Sequence, residues 1–485
     1  MARVGSVLYL TPEPTADKRE ARVVRSIFWL LAVMSSVTSG AAVHEVPRGE
    51  SIAAALEQAE PGDTVYLAGG VYHENIVVDV PIVLTGAPGS EIRGGYEGNV
   101  VHVIAKGTVI DGLHIAEAGP HLTKDMACVL VEAYDVTIRN CSITESLHGI
   151  YVKAGNGAEL VGNRIEGRLD LIEADRGNGI HLWNSSQNLI IDNEILNARD
   201  GIYFSFANFT DVERNHIHHV RYGLHYMYSN DNSFYDNLFE NNVAGAALMY
   251  SEDIVFARNT FARCRGFRAY GILLQSMSRV RATSNLIIDN SRGIFMNNAD
   301  TNVVEHNDVI NNDLAVQLNG GCDGNLLVRN NFINNLSELL LDVSDAETRW
   351  ADSGGGNHWS GYRGYDLDGN GAGDLPFPIQ NVFQILETKV PEARFYLLSP
   401  AAEVLEAAEH ALPILRLGDA EDPSPSLLPV ANDDVPWDAV SRGGSDGSFV
   451  AASLFLAGSA FPVACLWLLG RPRRSDSRQE DGRSR

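Results

Sequence analysis

The chain has 485 residues, 45% of them apolar, with five cysteines and a formal net charge of -25. That length and apolar content suffice for a large buried core, and the acidic balance excludes a nucleic-acid partner, which needs a basic stripe. No CxxC pair occurs, so neither a cysteine zinc cluster nor a thioredoxin-type motif is present. Cys128 and Cys141 are either a disulfide, in an oxidising compartment, or two buried free thiols.

Residues 1–42 have the pattern of an export signal behind an N-terminal extension. Arg19, Arg22 and Arg25 precede the apolar run Ile27–Val37, and Ser39-Gly40-Ala41 offers a small-residue cleavage site. The alternative is an uncleaved anchor. Residues 43–110 differ in character: Ser51–Ala59 forms a short amphipathic helix, Pro61-Gly62-Asp63 turns into the strand Thr64–Leu67, and Gly69–Tyr72 and Ile82–Thr85 continue the strand pattern. Such a segment closes the open end of a stacked solenoid, whose strand edge would otherwise be unpaired. Its pattern SIAAALEQAEPGDTVYLAGGVYHENIVV resembles the cap of the pectate-lyase-like β-helix superfamily, which implies a fold and no function.

Residues 111–345 repeat. Gly201, Gly223 and Gly245 are 22 residues apart, as are Gly271 and Gly293; Asn193, Asn215, Asn237 and Asn259 keep the same step, as do Asn285 and Asn307. Two places after each Asn stands an apolar residue (Ile195, Ile217, Phe239, Phe261, Ile287, Val309), and Cys141 takes the Asn place in the first clear coil. A fixed period of this size means stacked units that bury their apolar faces against one another. Within a unit, Ile180-His181-Leu182 and Ile202-Tyr203-Phe204 alternate with period two, which is strand rather than helix. A unit of this length holds about three short strands at ~3.3 Å per residue, with Asn, Gly and Asp at the turns. The fold class predicted is all-β, a right-handed parallel β-helix whose Asn side chains stack in a ladder at ~4.8 Å spacing. Extra residues at Arg168–Arg176 and Arg265–Arg268 fall at corners, where a loop leaves the core intact.

Residues 346–400 form a Gly/Asp-rich capping region. Within it, Asp366, Asp368, Asn370 and Asp374 present the oxygen set a hard cation such as calcium takes; the competing reading is an Asx-turn loop that ties itself together. Residues 401–447 comprise a helix, Ala401–Leu412, with Val404, Leu405, Ala408 and Leu412 on one face, and a linker rich in Asp, Pro, Ser and Gly. Residues 448–470 contain the uncharged run Phe449–Leu469, long enough to cross ~30 Å of hydrocarbon, and the basic tail 471–485 with Arg471, Arg473 and Arg474 predicts a cytoplasmic C-terminus.

Strand alternation sends the second and fourth residues after each Gly outward. The first row reads Tyr151, His181, Tyr203, His225, Ala247, Leu273, Phe295, Gln317, and the second Lys153, Trp183, Ser205, Met227, Met249, Gln275, Asn297, Asn319. An outward strip of aromatic, imidazole and thioether groups is a contact surface, with Trp183, Tyr203 and Phe295 facing a partner. His216 and His218 share one strand face, and His225 and Met227 share the next, with a corner between the pairs. With His181 and Met249 these are soft and borderline donors, which suit copper, Cu(I) above all, better than calcium or magnesium. The alternative is that each is a surface or stacking residue and no metal touches the chain. Asp192, Arg214, Asp236 and Arg258 alternate in sign just before the Asn positions, a stacking device.

A secreted β-helix also invites a carbohydrate reading, as a polysaccharide-binding, lyase-like or epimerase-like protein. Such chemistry needs acidic groups converging on one sugar, and the outward rows hold no cluster of Asp on adjacent coils. The cap, the coil array and the stretches GGGNHWSGYRGYDLDGNGAGDLPF and RFYLLSPAAEVLEAAEHALPIL resemble the NosD family of nitrous oxide reductase maturation proteins. The resemblance spans residues ~45–430. It implies a periplasmic, non-enzymatic β-helix protein that works with ABC transporter subunits in building the copper centres of nitrous oxide reductase, taking copper transiently from a donor protein. It supplies no ligand motif, so the candidate ligands rest on the residues alone. The apolar C-terminal run adds an anchor in the inner membrane.

Overall fold

The computed structural model describes residues 41–121, 124–341, 347–380, 399, 404, 420–432 and 434–436. The export signal, the body of the 401–412 helix and the apolar run 449–469 lie outside the described residues. Among those described, no helix is long and apolar enough to cross a membrane. Two compact units divide at Asp211/Val212, and both are right-handed parallel β-solenoids built from three sheets, here A, B and C.

In the first unit the strand Val43–Val46 pairs in parallel with Thr64–Leu67 and opens sheet A. The expected cap helix spans Ile52–Leu56; the Ser51 hydroxyl accepts the Ala54 amide at its N-terminus, and the Glu74 carboxylate accepts the Ile52 amide. The coils then stack in register, for example Ile150 on Ile180 on Ile202 in sheet C. Inward residues such as Ile180, Leu182, Ile202 and Phe204 have no exposure at all. Cys141 does occupy the ladder position: its amide donates to Asn163 Oδ1 at 3.0 Å. Cys128 and Cys141 are free buried thiols.

One coil of the second unit runs Leu238–Glu240 in sheet B, Ala244–Glu252 in sheet C and Val255–Ala257 in sheet A. At the corner from A to B, Asn237, Asn259, Asn285, Asn307, Asn330 and Asn357 form an unbroken ladder. Each side-chain oxygen accepts the backbone and side-chain N–H of the Asn one coil earlier, at 2.9–3.1 Å. The left-handed turn falls on the residue before each of the first five rungs (Asp236, Arg258, Ser284, His306, Arg329; φ 53–56°), so the corner bend and the ladder are carried there by adjacent residues. A second ladder, Asn290 to Asn312 to Asn335, turns the corner from B to C. A third, Asn302 to Asn325, turns the corner from C to A. Inside, Phe234 stacks on Phe256 and Phe239 on Phe261. These rings explain the repeated glycine: a Cβ on Gly245 would sit 2.6 Å from the Gly271 carbonyl oxygen and 2.7 Å from the Phe261 ring. No side chain fits there.

The solenoid continues past Leu341. His358–Trp359 adds a further rung to sheet B against Asn331–Phe332, and Trp359 stacks on Phe332 at 4.3 Å. The segment 420–436, expected to be linker, is bound to the solenoid. Glu421–Asp422 pairs with Phe377–Pro378, and the buried Asp422 ends the first Asn ladder: its Oδ2 accepts the Asn357 amide at 2.7 Å and the Trp359 indole N–H at 2.9 Å. Val430 exchanges two hydrogen bonds with the Asn331 side chain. Val435 is buried with Ala262, Leu286, Ile288 and Ile310 on the outer face of sheet B. Its polar composition reads as linker, but those polar groups are the ones that cap a ladder.

Candidate functional site

Sheet C carries the outward rows as expected, with their residues alternating against buried ones such as Leu224 and Tyr226. The rows are less open than alternation alone implies. In the first unit Tyr151 is 3% exposed. His181 stacks on it at 4.4 Å and meets Tyr203 edge-on at 4.6 Å. The buried His148 adds a further ring 5.1 Å from His181, and its Nδ1 accepts the Asn178 amide at 3.0 Å. Desolvation, assisted by Arg199, pulls His148 down to about 4, so it is neutral. His181 thus sits in a packed ring row; Trp183 lies at its exposed end.

In the second unit His225 and Met227 lie in register with Ala247 and Met249 on the next strand. Ala247 is buried, and His225, Met227 and Met249 are half-buried. The two thioethers therefore project side by side from adjacent strands, which lie ~4.8 Å apart, with an imidazole two residues away on the same face. The His225 ring stands perpendicular to Tyr222 at 5.2 Å, and its Nδ1 is 3.5 Å from an Arg221 guanidinium nitrogen. Next to the methionines, Tyr228 and Tyr250 stack at 5.3 Å with a 13° interplanar angle, each nearly half exposed. Phe295, further along, packs on Tyr270 at 5.1 Å.

His216 and His218 do share a face, but that face belongs to sheet B. A corner, residues 219–221, separates them from His225 and Met227. Their ring centroids are 4.3 Å apart, and the buried Ile217 between them points inward. His216 Nε2 is 2.8 Å from Glu240 Oε1, and His218 Nδ1 is 2.7 Å from His219 Nδ1. The Glu240 carboxylate is buried and also ion-paired to Arg263. Burial acts to raise it, yet His216 and Arg263 together hold it below the usual carboxylate range. In the first unit, then, His181 lies among rings; in the second, His225, Met227 and Met249 lie on sheet C, with His216 and His218 around the corner on sheet B. Glu240, Arg263 and the tyrosine stack were missed by the residue pattern. The available signal was Glu240 itself, an acid in register with His218 on the neighbouring strand.

In the Gly/Asp-rich loop the contacts of an Asx-turn are present. Asp366 accepts the amides of Gly369, Asn370 and Gly371. Asp368 accepts that of Asn370, Asn370 that of Ala372, and Asp374 that of Leu367. These side-chain-to-backbone bonds tie the loop to itself. The Asp236–Arg258 pair is present as a bidentate contact at 2.7 Å. Asp200, the acid just before Gly201, is buried.

Comparison with known proteins gives a consistent picture. A family model described as "Periplasmic copper-binding protein (NosD)" matches residues 161–364. The "Probable ABC transporter binding protein NosD" of Pseudomonas aeruginosa is 36% identical over 383 residues, covering 75% of this chain and 88% of that protein. The protein of the same name from Stutzerimonas stutzeri is 32% identical over 379 residues, covering 74% and 86%. Among solved structures, a mannuronic acid specific polysaccharide family 6 lyase from human gut microbiota aligns with TM-score 0.48 and 14% identity, covering 77% of this chain and all of that one. At those values it argues nothing about activity.

Proposed function

The chain belongs to the NosD family, and from that premise we propose that it is a periplasmic accessory protein, not an enzyme, that receives copper as cargo during assembly of the copper centres of nitrous oxide reductase, in concert with ABC transporter subunits. The relatives' names supply the periplasmic, copper-binding and transporter-binding parts of this reading. One observation on this chain carries the rest: Met227 and Met249 lie side by side in register, with His225 on the same face. Two thioethers and an imidazole suit Cu(I). Few ligands on an open sheet face hold an ion loosely enough to pass it on. The exposed Tyr228–Tyr250 stack beside them, with Trp183, Tyr203 and Phe295 along the rows, offers apolar area to a copper donor or to the reductase. The apolar run Phe449–Leu469, backed by Arg471, Arg473 and Arg474, anchors the chain in the inner membrane.

The test is chelator competition for Cu(I) on the purified protein, with the reductase's copper content measured in cells. His225→Ala/Met227→Ala should fold normally, lose Cu(I) binding and leave the reductase without copper. Normal copper loading in that variant would place the cargo elsewhere, and wild-type protein that retains polysaccharide but no Cu(I) would favour the carbohydrate reading. Truncation after Gly447 should release the protein from membranes; retention in a strain lacking the transporter would count against the anchor.

A further inference from the structure

The outer face of sheet B changes character along the second unit. From Ala262 to Ile310 it is apolar and covered by Val435 of the folded-back segment. At the coil holding His216 and His218 it becomes imidazole, half-exposed and positioned from below. Glu240 is the unusual residue. A carboxylate kept charged while 4% exposed is costly to bury unless its partners hold it, and two partners do so: Arg263 on one oxygen and His216 Nε2 on the other. With Nε2 engaged by the carboxylate, Nδ1 is the His216 ring atom left to act as a ligand. A buried carboxylate that fixes the tautomer and orientation of an outward histidine is the arrangement that metal-ligating histidines use.

His218 is oriented in the same way through its neighbour, since the 2.7 Å contact between its Nδ1 and that of His219 fixes the ring. A ring nitrogen of His216 and one of His218 lie within 4.8 Å of one another. Zinc–imidazole bonds of about 2.0–2.1 Å put two ligand nitrogens about 3–4 Å apart, so a small side-chain rotation closes the gap. From these distances we infer that His216 and His218 form a second metal site, for a borderline divalent ion such as Zn(II) or Cu(II), with Glu240 as the positioning residue. Its nitrogen donors separate it chemically from the thioether-rich group on sheet C. It does not depend on copper being the cargo there.

The experiment is Zn(II) titration by calorimetry on the untagged full chain. His216→Ala/His218→Ala should bind one equivalent fewer than wild type, whereas His225→Ala/Met227→Ala should keep the wild-type Zn(II) stoichiometry and lose only Cu(I). Glu240→Gln should keep the stoichiometry but weaken the affinity 10–100-fold. Equal Zn(II) stoichiometry in wild type and the His216/His218 variant overturns the site. Should that variant fail to fold, the milder His216→Gln decides: one Zn(II) equivalent fewer supports the site, and wild-type stoichiometry overturns it.

Discussion

Truncation of one ladder side chain, Asn285→Ala, gives the sharpest test of what holds the solenoid together. Its oxygen accepts the Asn259 backbone amide at 2.9 Å and the Asn259 side-chain amide at 3.1 Å, and its own side-chain nitrogen donates to the Phe256 carbonyl at 3.1 Å and to Asn307 at 2.9 Å. In the variant the Asn259 side chain keeps the Phe234 carbonyl, and the Asn307 oxygen keeps the Asn285 backbone amide. The Asn259 backbone N–H loses its acceptor, and the Phe256 carbonyl loses a donor. Both are buried, and an orphaned buried group costs about 1–3 kcal/mol, so the loss should be about 2–4 kcal/mol. The control is Arg279→Ala, which breaks exposed pairs to Asp253 and Glu252 and should cost less than about 1 kcal/mol. Urea unfolding of both variants gives the comparison, and amide exchange at Asn259 reports the local effect. Equal midpoints for the two variants would show that the ladder is not what holds the corners.

The terminator should matter as much as a rung. Asp422→Ala leaves the Asn357 amide and the Trp359 indole without their acceptor and should cost about 3 kcal/mol while freeing residues 420–436 for limited proteolysis; an unchanged digestion pattern would sink that view. His148 predicts an acid limb in stability. Its folded value of about 4 lies below the ordinary 6.5 of an imidazole, so the unfolded chain takes up a proton that the folded one refuses. That contribution is full above pH 6.5 and falls towards pH 4, by at most about 3 kcal/mol. His148→Gln should flatten that limb in denaturation midpoints taken across pH, and an identical limb would show that another group is responsible. Val435→Asp puts a charge against Ala262, Leu286 and Ile310; it should detach the folded-back segment from sheet B, visible as faster amide exchange at Val430.

The coil period, the strand alternation and one Asn ladder could be read directly because they are local and repeat. Asn at one place, an aromatic or aliphatic residue two later and Gly eight later are all demanded by contacts with identical neighbours, so the same residue types recur at the same step. The other two ladders escaped notice because their rungs are not uniform: Cys264 precedes Asn290 at one corner, and Ser251 serves the Ser229 amide at the other. The folded-back segment escaped for a different reason. Asp422 and Val435 meet partners more than sixty residues away, and a polar, Pro-rich stretch gives no periodic sign of that.

The same division applies to the candidate sites. Sequence alone placed His216 with His218 and His225 with Met227, because residues two apart on a strand share a face. It also set Met249 beside Met227, because equal places on successive coils stack. The corner between the pairs was legible as well, whereas which sheet each pair occupies was decided by how the coil turns. That Glu240 bonds His216 diagonally rather than His218 opposite it, and that Arg263 holds it there, was decided by side-chain packing across two coils. A repeat encodes the contacts every coil makes; a site is made of contacts that only one coil makes.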